Sequence, residues 1–244
     1  MKFLPVIVAL AFSSVSARAA EPAPFLHTHD RILFQGDSIT DGGRQRVGND
    51  PNHVMGQDYA YLIAARLGAQ FPERQLTFLN RGVSGNTVTD LTARWQRDAL
   101  DLKPDVISIL VGVNDAADVV DNRTKAVTAG QYEQTYDQLI QDTLAALPNV
   151  RLVLCEPFVL PVGRVKAGWE KWSAEVTLRR QIVKKLAAKH HVPLVPFQKV
   201  FDDACRRAPA EYWIWDGVHP TCAGHQLMAD AWLRVLNALP PADK

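Results

Sequence analysis

The amino-acid sequence predicts an α/β fold in three layers, with helices on both faces of a mostly parallel sheet. Five apolar segments of strand length recur along the chain, and longer amphipathic segments separate them. Near-continuous apolar strands that alternate with helices are typical of a parallel sheet that is covered on both faces. The five predicted strands are RILFQG, LTFLNRG, DVISILVGVND, RLVLCEPF and VPLVPF, which start at residues 31, 76, 105, 151 and 192.

The amphipathic segments between these strands predict the helices. They cover residues 58–69, 88–102, 132–147 and 172–190, and a final helix is predicted over 223–239. No Ser/Gly-rich or Pro-rich linker divides the chain, and no internal repeat is present. With 47% hydrophobic residues, the sequence has ample material for one core. We therefore expect a single domain after the N-terminal segment.

The first 19 residues have the layout of a secretory signal peptide. Lys2 precedes an apolar core of about ten residues, and Ala17 and Ala19 occupy the small-residue positions before a cleavage site. This core is well short of the roughly 20 residues that a membrane-spanning helix needs. We predict cleavage after Ala19, no membrane anchor afterwards, and export to the periplasm or beyond the cell. Cleavage removes Lys2 and Arg18, so the formal net charge changes from +1 to −1. Such a near-neutral chain does not favour binding to nucleic acid.

The three cysteines do not predict a metal site. Cys155 lies in an apolar strand and is best explained as a small buried side chain. Cys205 and Cys222 both follow the last predicted strand and could form a disulfide, but sequence does not fix their geometry. Because no CxxC pair is present, a cysteine-based zinc site is not expected. We predict no metal and no cofactor.

Polar residues collect where the predicted strands end. In parallel α/β sheets the ligand cleft lies beyond the carboxyl ends of the strands. Strand one ends at Gly36-Asp37-Ser38, and RGVSGN and GVND follow the second and third strands at residues 81–86 and 112–115. The segment DGVHP, residues 216–220, comes just before the final helix. A serine, an asparagine, an aspartate and a histidine are thus expected at one edge of the sheet.

These residue types are the ones that acyl transfer by an activated serine requires. A serine hydroxyl becomes nucleophilic when an imidazole takes its proton, and a carboxylate holds the imidazole in the required tautomer. Asp216 and His219 are three residues apart, which in a turn can set a carboxylate beside the ring. The oxyanion of the tetrahedral intermediate also needs hydrogen-bond donors. The backbone N–H groups of Ser38 and Gly82 and the side-chain amide of Asn114 are candidates for this role.

The motifs also resemble a known family. GDSIT, RGVSGNT, GVND and DGVHP match, in order, the four blocks of the SGNH subgroup of GDSL-type hydrolases. The resemblance implies a flavodoxin-like sheet of mostly five parallel strands, one SGNH hydrolase domain over residues 20–244, and metal-independent hydrolysis of acyl esters. It also implies Ser38 as nucleophile, His219 as base, Asp216 as its orienting group, and Ser38, Gly82 and Asn114 as the oxyanion hole. The flanking stretches SGNTVTDLTARWQRD and WDGVHPTCAGHQLMA are similar to carbohydrate acetylesterases, particularly acetylxylan esterase-like members.

Several neighbours of these residues are candidates for substrate contact. Trp213 and Trp215 stand directly before Asp216, and aromatic rings stack on sugar faces, although tryptophan also fills protein cores. Asp37 adjoins the proposed nucleophile. It is a candidate for substrate contact, or alternatively for holding the turn by accepting backbone N–H bonds.

The remaining histidines need separate interpretation. His53 lies in an irregular loop and is a candidate for substrate contact. His225 is the rival of His219 as a base, since it belongs to the same final segment, but a packed structural histidine is the favoured interpretation. His27 and His29 have a spacing that could suit a metal, yet no cluster of ligands adjoins them.

We therefore expect an exported serine esterase that removes short acyl groups, acetyl above all, from plant cell-wall polysaccharide or its oligosaccharides. The alternatives are a lysophospholipase or thioesterase with the same triad, an inactive carbohydrate-binding relative, and a metal-dependent hydrolase. The sequence leaves the oligomeric state open, a homo-oligomer included.

Overall fold

The structure, a computed structural model, describes residues 23–239 and contains a five-stranded parallel sheet. The strands are β1 (Arg31–Gly36), β2 (Thr77–Asn80), β3 (Val106–Leu110), β4 (Arg151–Cys155) and β5 (Leu194–Val195). Their order, β2-β1-β3-β4-β5, is that of a flavodoxin-like doubly wound sheet. The predicted α/β class and sheet are confirmed. The predicted signal segment, residues 1–19, lies outside the described residues.

The register of the sheet brings the strand ends into line. Gly36 pairs with Leu110, Leu110 with Cys155, and Cys155 with Val195. The residues that follow these strands therefore start from one common edge. Four of the strands, β2 to β5, are shorter than predicted, and β3 and β5 lose the most residues. β3 stops at Leu110 because Gly112, with φ +130°, turns the chain, and β5 is limited by Pro193 and Pro196, which have no N–H to donate.

Helices cover both faces of the sheet. The α-helices of the described residues are α1 (Ser38–Asp41), α2 (Tyr59–Gln70), α3 (Val88–Asp98), α4 (Val113–Val120), α5 (Ala129–Ala146), α6 (Trp169–Lys189), α7 (Phe197–Ala204), α8 (Ala210–Trp213) and α9 (Cys222–Asn237). Side chains set several of the helix starts. Thr87 and Thr128 form capping boxes at α3 and α5, and Thr221 caps α9.

The apolar residues form two clusters, one on each face of the sheet. One cluster packs α2, α7 and α9 around Phe34 and Trp232, and the other packs α3, α5 and α6 around Leu33. Successive residues of β1 point to opposite faces, so Phe34 and Leu33 enter different clusters. This arrangement confirms the three layers.

The structure leaves the three cysteines as free thiols. Cys155 is buried, as its place in a central strand predicts. Cys205 and Cys222, which could have formed a disulfide, are not bonded to each other. Among residues 23–239, no helix is both long enough and apolar enough to cross a membrane.

Candidate active site

Ser38 is placed by a sharp turn at the end of β1. A Cβ at Gly36 would overlap the carbonyl oxygen of Leu110 and lie 2.5 Å from Thr40 Oγ1, so only glycine allows this close approach. The Oδ1 atom of Asp37 then accepts the N–H of Ile39 at 3.0 Å and caps α1. Ser38 is therefore the first residue of a short helix, half-buried at the edge of the sheet.

His219 lies in a closed turn between α8 and α9. An antiparallel bridge pairs Ile214 with Pro220, and the N–H of Trp215 donates to the carbonyl oxygen of His219 at 3.1 Å. Gly217, with φ +98°, allows the chain to reverse within this turn. The bridge fixes the histidine two residues before the N-cap of α9.

Three side chains form a continuous hydrogen-bonded chain at this edge. Ser38 Oγ lies 2.8 Å from His219 Nε2, and His219 Nδ1 lies 2.8 Å from Asp216 Oδ2. The other carboxylate oxygen, Oδ1, accepts the N–H groups of Val218 at 2.9 Å and His219 at 2.7 Å. Because an ionised carboxylate only accepts, Nδ1 carries the proton, which leaves Nε2 as an acceptor for the serine hydroxyl.

The environment keeps Asp216 ionised. Burial works to raise its pKa, but hydrogen bonds from the backbone and ring of His219 and from the backbone of Val218 outweigh burial, so the pKa is lowered from its usual value. Arg164 adds a cation, with its Nε atom 3.5 Å from Asp216 Oδ2. An ionised carboxylate here favours a positive charge on the imidazole when it takes up a proton.

The segment after β4 supports the same turn. The N–H of Leu160 donates to the carbonyl oxygen of Gly217 at 3.0 Å, and that of Arg164 donates to the carbonyl oxygen of Asp216 at 3.1 Å. Gly163, with φ +52°, packs so closely on Asp216 that a Cβ would lie 2.5 Å from the Cα of Asp216. Sequence reasoning did not identify Arg164, since no motif marks it.

Gly82 does not have a free N–H, contrary to its predicted role in the oxyanion hole. Its N–H donates to Asn80 Oδ1 at 2.9 Å, in a buried contact. A Cβ at Gly82 would overlap the backbone of Asp41 and lie 2.6 Å from that of Thr40. The glycine is therefore required for close packing of the loop after β2 against α1.

Gly85 lies three residues further along this loop, and its N–H, unlike that of Gly82, is not used in a hydrogen bond within the loop. The N–H groups of Val83, Ser84 and Asn86 donate to Gly36 O, Asp41 Oδ2 and Val83 O at 3.0, 2.9 and 3.1 Å. Within the described residues the N–H of Gly85 has no acceptor, and the residue is exposed with φ +82°. The motif RGVSGNT contains both glycines, and sequence alone did not show which one keeps its donor free.

The other two predicted donors stand beside this loop. Asn114, the second residue of α4, uses Nδ2 to donate to Asn86 O at 3.1 Å, and the amide has a second hydrogen to offer. The N–H of Ser38 opens α1, where the first N–H groups have no partner within the helix. The loop 82–86 thus joins α1 on one side and Asn114 on the other.

Buried carboxyls hold this framework. Burial above all raises the pKa of Asp37 to about 7, and the nearby Asp115 acts in the same direction. Burial likewise raises the pKa of Asp115 to about 7 and that of Asp58 to about 8. Asp115 accepts the N–H of Val88 at the start of α3, and Asp58 caps α2. Asp37 is fully buried, so it supports the turn and offers no surface to a substrate, contrary to that expectation.

The two tryptophans before Asp216 point in opposite directions. Trp215 is 62% exposed, and its ring stacks on that of His219 with 6.0 Å between centroids and 22° between planes. Trp213 is 5% exposed and donates its Nε1–H to the carbonyl oxygen of Ala204 at 3.1 Å. Trp213 is therefore a core residue, which corrects its prediction as a substrate contact, whereas Trp215 remains a candidate.

His53 and His225 border a cavity of about 590 Å³, which Tyr61 and Leu62 also line and whose lining does not include Ser38 or His219. His53 is exposed and its Nδ1 lies 3.0 Å from Asp50 Oδ2. Burial above all, and then the charge of His219, lower the pKa of His225 to about 4. Only His219 of these histidines contacts Ser38. Among residues 23–239, no three His, Cys, Asp or Glu side chains are grouped closely enough to hold a metal ion.

A sequence model of the GDSL-like lipase/acylhydrolase family matches residues 34–227, a range that includes all the residues of this edge. The chain belongs to this family. Among curated proteins, it is 34% identical to an acetylxylan esterase from Geobacillus stearothermophilus over 85% of this chain and 94% of that protein. The family and this relative identify the chain as a carboxylic ester hydrolase.

Solved structures of this family agree with the fold. A structure from Parabacteroides merdae, assigned as a GDSL-like lipase, is 41% identical with a TM-score of 0.83, and the match covers 88% of this chain and 99% of that chain. The structure of an acetylxylan esterase from Geobacillus stearothermophilus is 31% identical with a TM-score of 0.77 over 89% and 98% of the two chains. Catalytic mutants of that esterase replace a serine, a histidine or an aspartate, and the last two lie three positions apart.

Proposed function

We propose that this chain is an exported acetylesterase that removes acetyl groups from plant cell-wall polysaccharide or its oligosaccharides. The observation that carries the proposal is the hydrogen-bonded chain of Ser38, His219 and Asp216, with both contacts at 2.8 Å. The similarity to an acetylxylan esterase supports the choice of substrate. The signal-like segment at residues 1–19 supports export.

The proposed reaction begins at the serine. Ser38 Oγ attacks the ester carbonyl carbon while His219 Nε2 takes the hydroxyl proton, and Asp216 stabilises the resulting imidazolium. The carbon–oxygen bond to the sugar then breaks, and the imidazolium returns the proton to the departing sugar oxygen. Water next attacks the acetyl-serine with His219 again as base, which releases acetate and restores the serine hydroxyl.

The oxyanion of each tetrahedral intermediate needs donors that are already in place. We propose the N–H groups of Ser38 and Gly85 and the side-chain amide of Asn114. Gly85 replaces Gly82 in this assignment because only the N–H of Gly85 is free in the loop that contacts both α1 and Asn114. The fixed partners of its neighbours hold this N–H in position before the reaction begins.

A carbohydrate leaving group suits the surroundings of Ser38. Trp215 exposes an aromatic face beside the catalytic histidine, and aromatic faces pack well on sugar rings. The loop next to the serine carries polar side chains, Ser84 and Asn86 among them. One observation favours the lipid-directed alternative. The cavity that His53 borders also has Tyr61 and Leu62 in its wall, which could contact an acyl chain.

Acetate release from acetylated xylan tests the proposal, with p-nitrophenyl acetate and p-nitrophenyl octanoate measured alongside. The assays use residues 20–244, both with the wild-type sequence and with the substitution Ser38→Ala. Loss of the nucleophile should reduce kcat by about 10³-fold or more, because the triad acts as a unit. Acetate release that survives in Ser38→Ala would refute the mechanism. Turnover of octanoate well above acetate would refute the carbohydrate substrate and favour the lipid-directed alternative.

A further inference from the structure

A groove lined by arginines lies on the outer side of the loop that carries Gly85. Its volume is about 590 Å³, and Asp90 and Asp98 also line it. The cations come from three places: the segment after α1, the end of β2, and α3. They are Arg44, Arg46, Arg81, Arg94 and Arg97.

The carboxylates nearby do not balance these cations. Arg94 and Arg97 share Asp98, with N···O distances of 3.3 and 2.8 Å. Arg44 and Arg46 share Asp41 in the same way, at 4.0 and 2.6 Å. Two carboxylates therefore serve four guanidinium groups, which leaves the groove with an excess of positive charge.

Arg81 and Arg44 add to this excess. Arg81 has no carboxylate at ion-pair distance among the described residues, and its Nη1 donates only to the carbonyl oxygen of Asn80. Burial above all, and then the charges of Arg46, Arg81 and Arg94, lower the pKa of Arg44 to about 10. An anion in the groove would relieve this repulsion.

The groove and the catalytic edge share the loop 82–86. Arg44 Nε donates to Gly82 O at 3.0 Å, and Arg94 Nε donates to Asn86 Oδ1 at 2.7 Å. The carbonyl oxygen of Asn86 accepts from Asn114 on the other side of the loop. A glycan with an ester bond at Ser38 would therefore pass close to the groove with its neighbouring sugar residues.

We propose that this groove binds the carboxylate of a uronic acid unit on the acetylated glycan, so that acidic glycans are the preferred substrates. This inference rests on the proposed function. A guanidinium group matches a carboxylate in a planar, two-point contact. The whole chain has a formal net charge of only +1, which argues against a polyanion such as nucleic acid as the ligand.

The test compares two substrates that differ only in the acid. The first is a mixture of acetylated xylo-oligosaccharides with glucuronic acid branches, and the second is the same mixture after enzymatic removal of the glucuronic acid. The measured quantity is the ratio of kcat/KM for acetate release from the two. We expect the wild type to prefer the acidic substrate about fivefold, which is the size of one or two partly exposed ion pairs. This preference should decline as NaCl is raised from about 20 mM to about 500 mM.

The variant is Arg81→Gln with Arg97→Gln, which should bring the ratio close to one. Arg97 is 78% exposed, so the single variant Arg97→Gln remains available if the double variant does not fold. The matched control is Arg66→Gln with Arg206→Gln, which removes the same charge from exposed side chains that pair with Asp230 and Asp203. The control should keep the wild-type ratio.

The outcomes separate this inference from the proposed function. Equal hydrolysis of both substrates by the wild type would overturn the acidic-glycan inference alone. A preference that Arg81→Gln/Arg97→Gln and the control change equally would also overturn it. Release of acetate from neither substrate would overturn the proposed function, and this inference with it.

Discussion

Replacement of Asp216 by asparagine tests the tautomer of His219 that we infer from its hydrogen-bond partners. The side chain of Asp216 makes two kinds of contact. Oδ1 accepts two backbone N–H groups, at 2.9 and 2.7 Å, and Oδ2 faces His219 Nδ1 at 2.8 Å. Only an oxygen can accept the two N–H groups, so the amide of Asn would turn its NH₂ group towards Nδ1. His219 would then have to accept at Nδ1 and carry its proton at Nε2, where it cannot take the proton of Ser38.

The size of the effect follows from this geometry. The backbone contacts of the turn survive in Asp216→Asn, so the loss should lie in catalysis more than in folding. In the well-studied Ser-His-Asp proteases, the same replacement reduces kcat by about 10⁴-fold because the wrong tautomer is present. This reduction corresponds to about 5.5 kcal/mol of transition-state stabilisation. We expect a loss of the same order here.

The assay is kcat for p-nitrophenyl acetate at pH 8, with thermal unfolding of each variant as a measure of folding. Asp216→Ala provides the comparison. It removes the acceptor for Val218 and His219 and should lower the Tm, which Asp216→Asn should leave within a few degrees. A kcat within tenfold of wild type for a folded Asp216→Asn would refute the tautomer argument.

Three further predictions follow from the same edge of the sheet. Trp215→Ala should raise KM for acetylated xylo-oligosaccharide roughly two- to tenfold, the equivalent of one aromatic contact, with a smaller change for p-nitrophenyl acetate; equal changes for both would contradict a sugar contact. Gly82→Ala should lower the Tm because its Cβ overlaps α1. Gly85→Ala, whose Cβ has open space, should cost about 1 kcal/mol of stability because of its positive φ, and it should lower kcat more than Gly82→Ala does. The reverse pattern would return Gly82 to the oxyanion hole. Burial raises the pKa of Asp37 from 3.8 to about 7, so the folded state binds a proton that the unfolded state releases, and the free energy of unfolding should fall as pH rises from about 4 to about 7; urea unfolding should show a shallower fall for Asp37→Asn, and an identical slope would contradict the raised pKa.

The sequence predicted the parts of the site that depend on strand ends. Ser38 follows a strand whose apolar run stops at a glycine, and Asp216 and His219 stand three residues apart before the last helix. The carboxyl ends of parallel strands lie at one edge of the sheet, so the residues that follow them are placed at that edge regardless of loop conformation. The five strands and the five long helices could be predicted for the same reason, because their apolar periodicity is local.

The parts that depend on particular contacts in the folded chain could not be predicted. Whether Gly82 or Gly85 keeps a free N–H depends on the side chain of Asn80 and on Asp41, about 40 residues earlier in the chain. Whether Trp213 or Trp215 is exposed depends on the bridge at Ile214, which sets the direction of each neighbour. In both cases, two residues of the same type that are close in sequence differ in their contacts within the fold.

These contacts also explain how the loop after β2 can serve two surfaces. Asp41 accepts from both the N–H and the hydroxyl of Ser84, at 2.9 and 2.8 Å, and Arg46 donates to the same carboxylate oxygen at 2.6 Å. One buried aspartate thus ties the inner side of the loop, with its free Gly85 N–H, to a cation of the outer groove. An anion that binds Arg46 would weaken the electrostatic attraction between Arg46 and Asp41. On the two proposals above, one carboxylate would support both the loop with the proposed oxyanion donor and the groove proposed to bind an acidic glycan.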